Sequence, residues 1–423
     1  MKTMNYDAAV IGAGAAGLAA ALELDAQGLK VALIDREDHL GGILMQCIHN
    51  GFGLQEFKEE LSGPEFAERF IVRLPGTHID VRLNTTVLSF DKAPASLAPE
   101  ADGQYLVTGV SEEGIIALIA KVIILSTGCR EKNRGNIRIP GSRPAGVFTA
   151  GLAQRLVNIE GYIPGKEVVV IGSGDIGLIM ARRMTWIGCK VKAVVEIMPY
   201  PAGLNRNIVQ CLNDFDIPLY LSSQTTNIFG NDRVEGIEVT PMEGGMMLPE
   251  KTFRIDCDTV LLSVGLVPEN ELARAAGVEL SGTTGGALVN SRFMTNLPGV
   301  FSCGNALQVH DLVDWVVEEA RRTAACAAAW IKGDRPKAEL NIKAGANVRY
   351  VNPVKLDISG TNKISLRSMV VKNDAVLEIR DGDKVIKSIK ERHVQPSEMI
   401  NIPLGPNDLE GKVSGAALEV RII

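Results

Sequence analysis

An α/β fold with a small C-terminal all-β domain is what this sequence predicts, on three observations. Two glycine turns of identical spacing lie 160 residues apart, Gly12-Ala13-Gly14-Ala15-Ala16-Gly17 and Gly172-Ser173-Gly174-Asp175-Ile176-Gly177. Each follows an apolar strand, Asp7 to Ile11 and Glu167 to Ile171, and opens a small-residue helix. After Gly333-Asp334-Arg335-Pro336 the pattern changes to short alternating β segments.

In such a turn the first glycine permits the sharp strand-to-helix reversal. The second lets the backbone approach a pyrophosphate, and the third lets helix and strand pack closely. The pyrophosphate then rests on unpaired amides at a helix N-terminus. A second strand in each unit ends in an acid, Asp35 and Glu196, lying 18 and 19 residues beyond the third glycine. That spacing suits a carboxylate that accepts hydrogen bonds from a ribose 2′-hydroxyl. The prediction is therefore two Rossmann-like dinucleotide-binding domains. Glu196 would repel a 2′-phosphate, and no Arg or Lys follows it until Arg206, so the second site is expected to take NAD(H) rather than NADP(H).

The first unit is expected over 1–150 and to resume over 276–335, with the second inserted at 151–275. Gly161, Pro164 and Gly165 interrupt the pattern before the second motif. Short strands are expected at Ala287 to Val289 and Gly299 to Ser302, followed by a helix from Asp311 to Ile331 with Asp311 as a candidate N-cap. Residues 340–423 read as a sandwich-like β domain, with strands near Val354 to Ile358, Ile364 to Val371, Ala375 to Arg380, Val385 to Ile389 and Ala417 to Ile422. Asp381-Gly382 marks a hairpin within it.

A chain of 423 residues exceeds what one hydrophobic core serves, which fits this division. A net charge of −6 argues against a nucleic-acid partner. Apolar runs are of strand length, far below the ~20 residues of a spanning helix. No signal peptide is recognised, and a cytoplasmic protein is expected. The seven cysteines include no CxxC pair, which argues against a local redox disulfide, an iron–sulfur motif or any metal site. His39, His78 and His393 have no partner pattern.

With these landmarks the chain resembles the FAD-dependent pyridine nucleotide-disulfide oxidoreductase superfamily over roughly residues 5–333. Beyond the glycine turns, the resemblance rests on Ser126-Thr127-Gly128, on Gly265-Leu266-Val267-Pro268, and on Gly299-Val300-Phe301-Ser302-Cys303-Gly304-Asn305. It implies that FAD is held by Gly12, Gly14, Gly17, Asp35, Gly41, Gly42, Thr127, Gly128, Gly304 and Asn305. It assigns NAD(H) to Gly172, Gly174, Gly177, Glu196 and Gly265. Two departures stand out. The family's last motif ends Gly-Asp where this chain has Asn305, whose carbonyl can still accept a hydrogen bond. Where disulfide reductases carry a cysteine pair, Gly41-Gly42 leads only to Cys47, so disulfide reduction is not expected.

Cys47 to Gly53 and Gly304 to Asp314 look closer to one branch, the flavoprotein associated with an anaerobic-type glycerol-3-phosphate dehydrogenase. That resemblance implies partner subunits of a dehydrogenase complex. The catalytic candidates are Cys47 and His49, where the family places its redox-active residues, and His310, which with Asp311 and Asp314 could form a proton-donating group. A helix beginning near Asp311 would aim its positive end at the flavin. The leading expectation is an NADH-linked electron-transfer subunit passing electrons from NADH through FAD to a second acceptor, the reverse direction being equally allowed by the sequence. The alternatives are a stand-alone NADH oxidase or thiol/polysulfide reductase using Cys47, and a non-catalytic adaptor with structural nucleotides.

Overall fold

The computed structural model describes residues 4–94, 103–336, 338–413, 415 and 417–423. Contacts divide the chain into one unit of Met1–Met45, Asn50–Cys129 and Pro268–Ile423, and another of Gln46–His49 and Arg130–Val267.

The first unit is built on a sheet of seven strands. Strand Met4–Ile11 lies at its centre, parallel to Val31–Ile34 on one side and to Gly114–Leu125 on the other. Val300–Ser302 adds a further parallel strand beside Gly114–Leu125. Ala8, Ala9 and Val10 are wholly buried, as expected of a parallel strand covered on both faces. Helix Ala15–Ala26 buries Leu18, Ala19, Ala20 and Ala21 in the same core as Ala320, Ala324 and Ala327 of helix Val313–Ile331. Small side chains on both helices permit a close approach.

The C-terminal residues of this unit form two sheets around a separate core that includes Leu340, Leu366, Leu377, Ile402 and Val420. One sheet has five strands, in the order Lys355–Asp357, Glu339–Ala344, Ala417–Ile422, Lys372–Asp381 and Lys384–Val394. The other has three, Val348–Asn352, Asn362–Ser368 and Met399–Leu404. The hairpin turns at Gly382, whose φ of 58° suits glycine.

In the second unit, strand Glu167–Ile171 is flanked by parallel strands Lys190–Val195 and Thr259–Leu262. Alternate residues feed different cores. Val168, Val170 and Leu261 join one cluster, whereas Val169, Ile171, Val260 and Leu262 join another that reaches the antiparallel strands Ser223–Gly230 and Val234–Glu243. That is the period-2 geometry of a strand buried on both sides.

Several expectations need correction. The second unit runs from 130 to 267 rather than 151 to 275, because strand Val147–Thr149 already pairs with Thr259–Leu262 and because Ala273 is buried in the first unit's core. Ala287 to Val289 is not a strand; Ala287 makes only an isolated bridge to Leu280. The long helix begins at Val313 with Leu312 as its N-cap, so Asp311 does not cap it.

Candidate functional site

The parallel register sets the first site. Ile11 lies opposite Ile34 and Leu125, and Leu125 lies opposite Ser302. The glycine turn, Asp35, Ser126-Thr127-Gly128 and Cys303-Gly304-Asn305 therefore emerge from the carboxyl ends of four neighbouring strands, the edge at which open α/β sheets bind ligands.

Gly12 has φ +105°, and a Cβ there would sit 2.4 Å from Ser126 O. A Cβ on Gly17 would fall 1.7 Å from Gly12 O, whereas one on Gly14 would meet nothing within 4 Å. Two glycines thus close the turn and the middle one faces open space. The helix behind it has no side-chain cap and no acid in its first turn, leaving its first amides for an anion. Asp35 braces this turn, accepting from Ala13 N at 2.5 Å and Glu37 N at 2.9 Å. Gly41 N donates to Ala13 O at 3.0 Å, and a Cβ on Gly42 would lie 3.1 Å from Gly14 Cα, so the second glycine pair forms the adjoining wall. Ser126 Oγ donates to Ile11 O and Gly12 O, both at 2.9 Å, while Thr127 Oγ1 donates to Glu269 O at 2.7 Å. Gly128 opens into space. This glycine-lined cradle fits FAD.

At the last motif, Asn305 accepts from His310 N through Oδ1 at 3.0 Å and donates to Cys129 Sγ through Nδ2 at 3.5 Å. Beneath the turn lies Glu319, only 6% exposed. Its Oε1 accepts from Gly304 N at 2.8 Å, and its Oε2 accepts from Gln308 Nε2 at 2.9 Å and lies 3.3 Å from His310 Nε2. Glu319 is therefore the carboxylate beside His310. Asp311 and Asp314 are committed elsewhere: Asp311 to Arg367 and Met399 N, Asp314 to the amides of Gly53, Gln55 and Glu56.

The second unit repeats the first cradle. Gly172 has φ +91°, with a virtual Cβ 2.2 Å from Ser263 O, and a Cβ on Gly177 would lie 2.6 Å from Ser263 Cβ. Ser263 Oγ accepts from Gly177 N at 3.0 Å. Ser126 and Ser263 occupy equivalent places, each just after the strand parallel to its motif strand. Sequence reasoning missed Ser263, although the shared pattern of apolar strand then serine could have revealed it. Glu196 is 5% exposed. Its Oε2 accepts from Ser173 N at 2.9 Å and Ser173 Oγ at 2.6 Å, and its Oε1 from Met198 N at 2.9 Å. A carboxylate offers about four lone-pair sites, so a ribose hydroxyl can still be served. Ala202 N donates to Ser173 Oγ at 2.8 Å, and Leu204 N to Asp175 Oδ1 at 2.8 Å, drawing the segment after Glu196 along the turn. Gly265, with φ +100°, accepts from Lys132 N at 2.9 Å.

Cys47 and His49 group with the second unit, His310 with the first. Gln46 Nε2 donates to Gly151 O at 2.8 Å and to Gln154 Oε1 at 3.1 Å, and Cys47 Sγ donates to Gln154 Oε1 at 3.6 Å. Burial pushes the Cys47 thiol up to about 12. An attacking cysteine needs the opposite shift. His49 is half-buried. Among the described residues no cluster of His, Cys, Asp and Glu is arranged to hold a metal, and no helix is long and apolar enough to cross a membrane.

Comparison with known proteins agrees with this anatomy. An opine oxidase subunit of Agrobacterium tumefaciens (strain Ach5) is 26% identical over 65% of this chain and 55% of its own length. The glutamate synthase [NADPH] small chain of Mycobacterium tuberculosis (strain H37Rv) is 28% identical over 78% of this chain and 68% of its own. The chain thus spans only about half of the opine oxidase protein. The crystal structure of T. acidophilum thioredoxin reductase superposes with a TM-score of 0.63 at 24% identity, covering 77% of this chain and 98% of that one, a likeness of fold. Residues 6–329 match the family model for pyridine nucleotide-disulphide oxidoreductases. This chain belongs to the pyridine nucleotide-disulphide oxidoreductase family, among FAD- and pyridine-nucleotide-dependent oxidoreductases.

Proposed function

We propose that this protein oxidises NADH through FAD and passes the electrons to a second acceptor that is not a disulfide, as one component of a larger dehydrogenase. The observation that carries this reading is the lone Cys47: no second cysteine stands beside it after Gly41-Gly42, so the segment cannot form a local redox disulfide. Bound FAD supplies the hydride and electron chemistry. The protein's residues supply position. Gly12, Gly14, Gly17, Gly41, Gly42, Thr127, Gly128, Gly304 and Asn305 hold FAD in the first unit, and Asp35 braces the turn. Gly172, Gly174, Gly177 and Gly265 receive NAD(H) in the second, where Glu196 accepts from the ribose and repels a 2′-phosphate.

The opine oxidase and glutamate synthase relatives both bear the names of component chains, which supports a partnered role. The pattern around Cys47 to Gly53 and Gly304 to Asp314 supports the glycerol-3-phosphate dehydrogenase-associated type, and a cytoplasmic setting suits a nicotinamide substrate. The test is an anaerobic titration of the FAD-loaded chain with NADH and then NADPH, following flavin absorbance. Bleaching by NADH in preference to NADPH is expected. Failure of both to bleach the flavin would overturn the reading.

A further inference from the structure

Two buried polar atoms that lack a protein partner belong to residues that line one recess. They are His310 Nδ1 and Gln308 Oε1, on side chains 3% and 1% exposed. The recess, about 20 Å³, lies between the long helix and the β strands Asn362–Ser368 and Met399–Leu404, and Ser365 and Asn401 also line it. That is room for one water, which needs more than about 10–15 Å³ and polar partners. His310 Nε2 lies 3.3 Å from Glu319 Oε2, which leaves Nδ1 as the ring nitrogen without a partner. Gln308 Nε2 donates to Glu319, and its Oε1 is the acceptor left without a partner.

The far side of the same carboxylate faces the cofactor cradle. Glu319 Oε1 accepts from Gly304 N, in the turn assigned above to FAD. One buried carboxylate therefore connects that turn to an imidazole opening on the recess.

We propose that the His310–Glu319 pair takes up one proton when the site at Gly304 is reduced, and exchanges it with solvent through the recess. The inference rests on the assignment of this turn to FAD and adds a proton-holding group to it. The balance is simple. NADH gives two electrons and a proton as hydride and leaves as NAD⁺, so the reduced site gains one negative charge. A hydronium proton from solvent then bonds to His310 Nδ1, leaving water behind. The charged groups around the imidazole favour this timing. Glu319, Glu318 and Arg322 line the same recess from the helix and Lys363 from the β domain, with Lys363 paired to Glu318. Arg367 and Asp311 nearby neutralise each other, and Tyr350 adds no charge near neutral pH, its pKa being raised. The two acids and two bases around the recess balance, so a new negative charge at the turn tips histidine toward its cation.

The test uses the full FAD-loaded chain, reduced by dithionite so that NADH binding is not required. Nitrogen-15 histidine spectra, with His310 assigned by its loss in H310Q, should show Nδ1 gaining a proton on reduction at a pH where it carries none in the oxidised protein. Wild type should take up one more proton per two electrons than H310Q. Its equilibrium with a redox dye should then change by an extra factor of ten per pH unit. E319Q should abolish the extra uptake, and if that variant does not fold, the spectra and H310Q decide alone. An unchanged His310 with equal proton uptake in wild type and H310Q overturns this proposal and leaves NADH oxidation standing. A chain that binds no FAD overturns both.

Discussion

Asp311 and Arg367, 56 residues apart, form an ion pair with side chains 20% and 12% exposed. Arg367 also donates to Val309 O at 3.0 Å, and Met399 N donates to Asp311 Oδ2 at 2.7 Å. Two strands of the C-terminal domain thereby grip the segment between Asn305 and the long helix. The β domain, which carries no recognisable chemistry of its own, is the clamp on the last loop of the FAD cradle.

Replacing Arg367 with Met should therefore weaken more than the β domain. The substitution keeps much of the side chain's volume but leaves Asp311 with an uncompensated charge, a change that costs about 3–5 kcal/mol when an ion pair is fully buried. Partial exposure places the expected loss near about 3 kcal/mol, since solvent screens such pairs. Thermal unfolding followed at the flavin and at the backbone should shift together. If R367M lowers Tm but retains FAD as tightly as wild type, the clamp does not reach the cradle.

The two glycine turns should be separable by mutation. A Cβ on Gly17 would overlap Gly12 O at 1.7 Å, which no rotamer change can relieve because the backbone fixes the Cβ and its partner is a backbone carbonyl. G17A should yield a colourless or unfolded protein. G177A meets Ser263 Cβ at 2.6 Å, an atom held by its own backbone, and Gly172 O at 3.1 Å, so the second turn must shift while the first is untouched. It should purify yellow, with NADH bleaching weakened at least tenfold. Equal NADH affinity in G177A and wild type would remove the second turn from the nucleotide site.

What the sequence disclosed and what it hid follow from the range of the signals. The glycine turns, Asp35, Glu196 and the Asp381-Gly382 hairpin are local patterns, so they are legible in a single chain. The hairpin strands Lys372–Asp381 and Lys384–Val394 extend the expected ones on both sides. Glu319 was not legible, because it reaches Gly304 and His310 from a later turn of a helix whose packing alone selects its partners. Asp311 and Asp314 sit closer to His310 in sequence, yet their backbone positions direct them to Met399 and to the loop at Gly53 to Glu56. The boundary at 130 was hidden for a similar reason. Strand Val147–Thr149 is short and flanked by glycine and proline, and only its pairing with Thr259–Leu262 reveals it.

Cys47, half-buried with a raised pKa, should behave as an unreactive thiol. C47S should retain NADH oxidation, and iodoacetamide should label native Cys47 slowly near neutral pH. The raised pKa also carries a pH dependence. The folded thiol titrates near 12, against an ordinary value of 9.0, so folding favours the protonated form. Its contribution is intact below pH 9 and is lost as pH rises toward 12. Cys257, likewise pushed up to about 12, and Tyr105, raised to about 12 from 10.0, act in the same direction. Urea midpoints, with reductant present, should fall between pH 8 and pH 10.5, and fall less in C47S. An identical alkaline fall in both proteins would show that Cys47 is not held protonated by the fold.

Glu196 has two tasks that one pair of variants can separate. Its carboxylate holds Ser173 N, Ser173 Oγ and Met198 N in a setting where Ser173 is wholly buried. E196A strips acceptors from two backbone amides, and an unsatisfied buried donor costs about 1–3 kcal/mol. That variant should unfold early in its second unit whether or not nucleotide is present. E196Q keeps one acceptor oxygen and most of the packing while removing the charge. If the charge selects against a 2′-phosphate, the preference for NADH over NADPH should fall about tenfold in E196Q, equivalent to about 1.4 kcal/mol. The ratio is the informative quantity, because general weakening of the turn lowers both affinities together. An unchanged ratio would leave Glu196 as a brace of the glycine turn and move cofactor selection elsewhere, with exposed Arg206 the next cation along the chain.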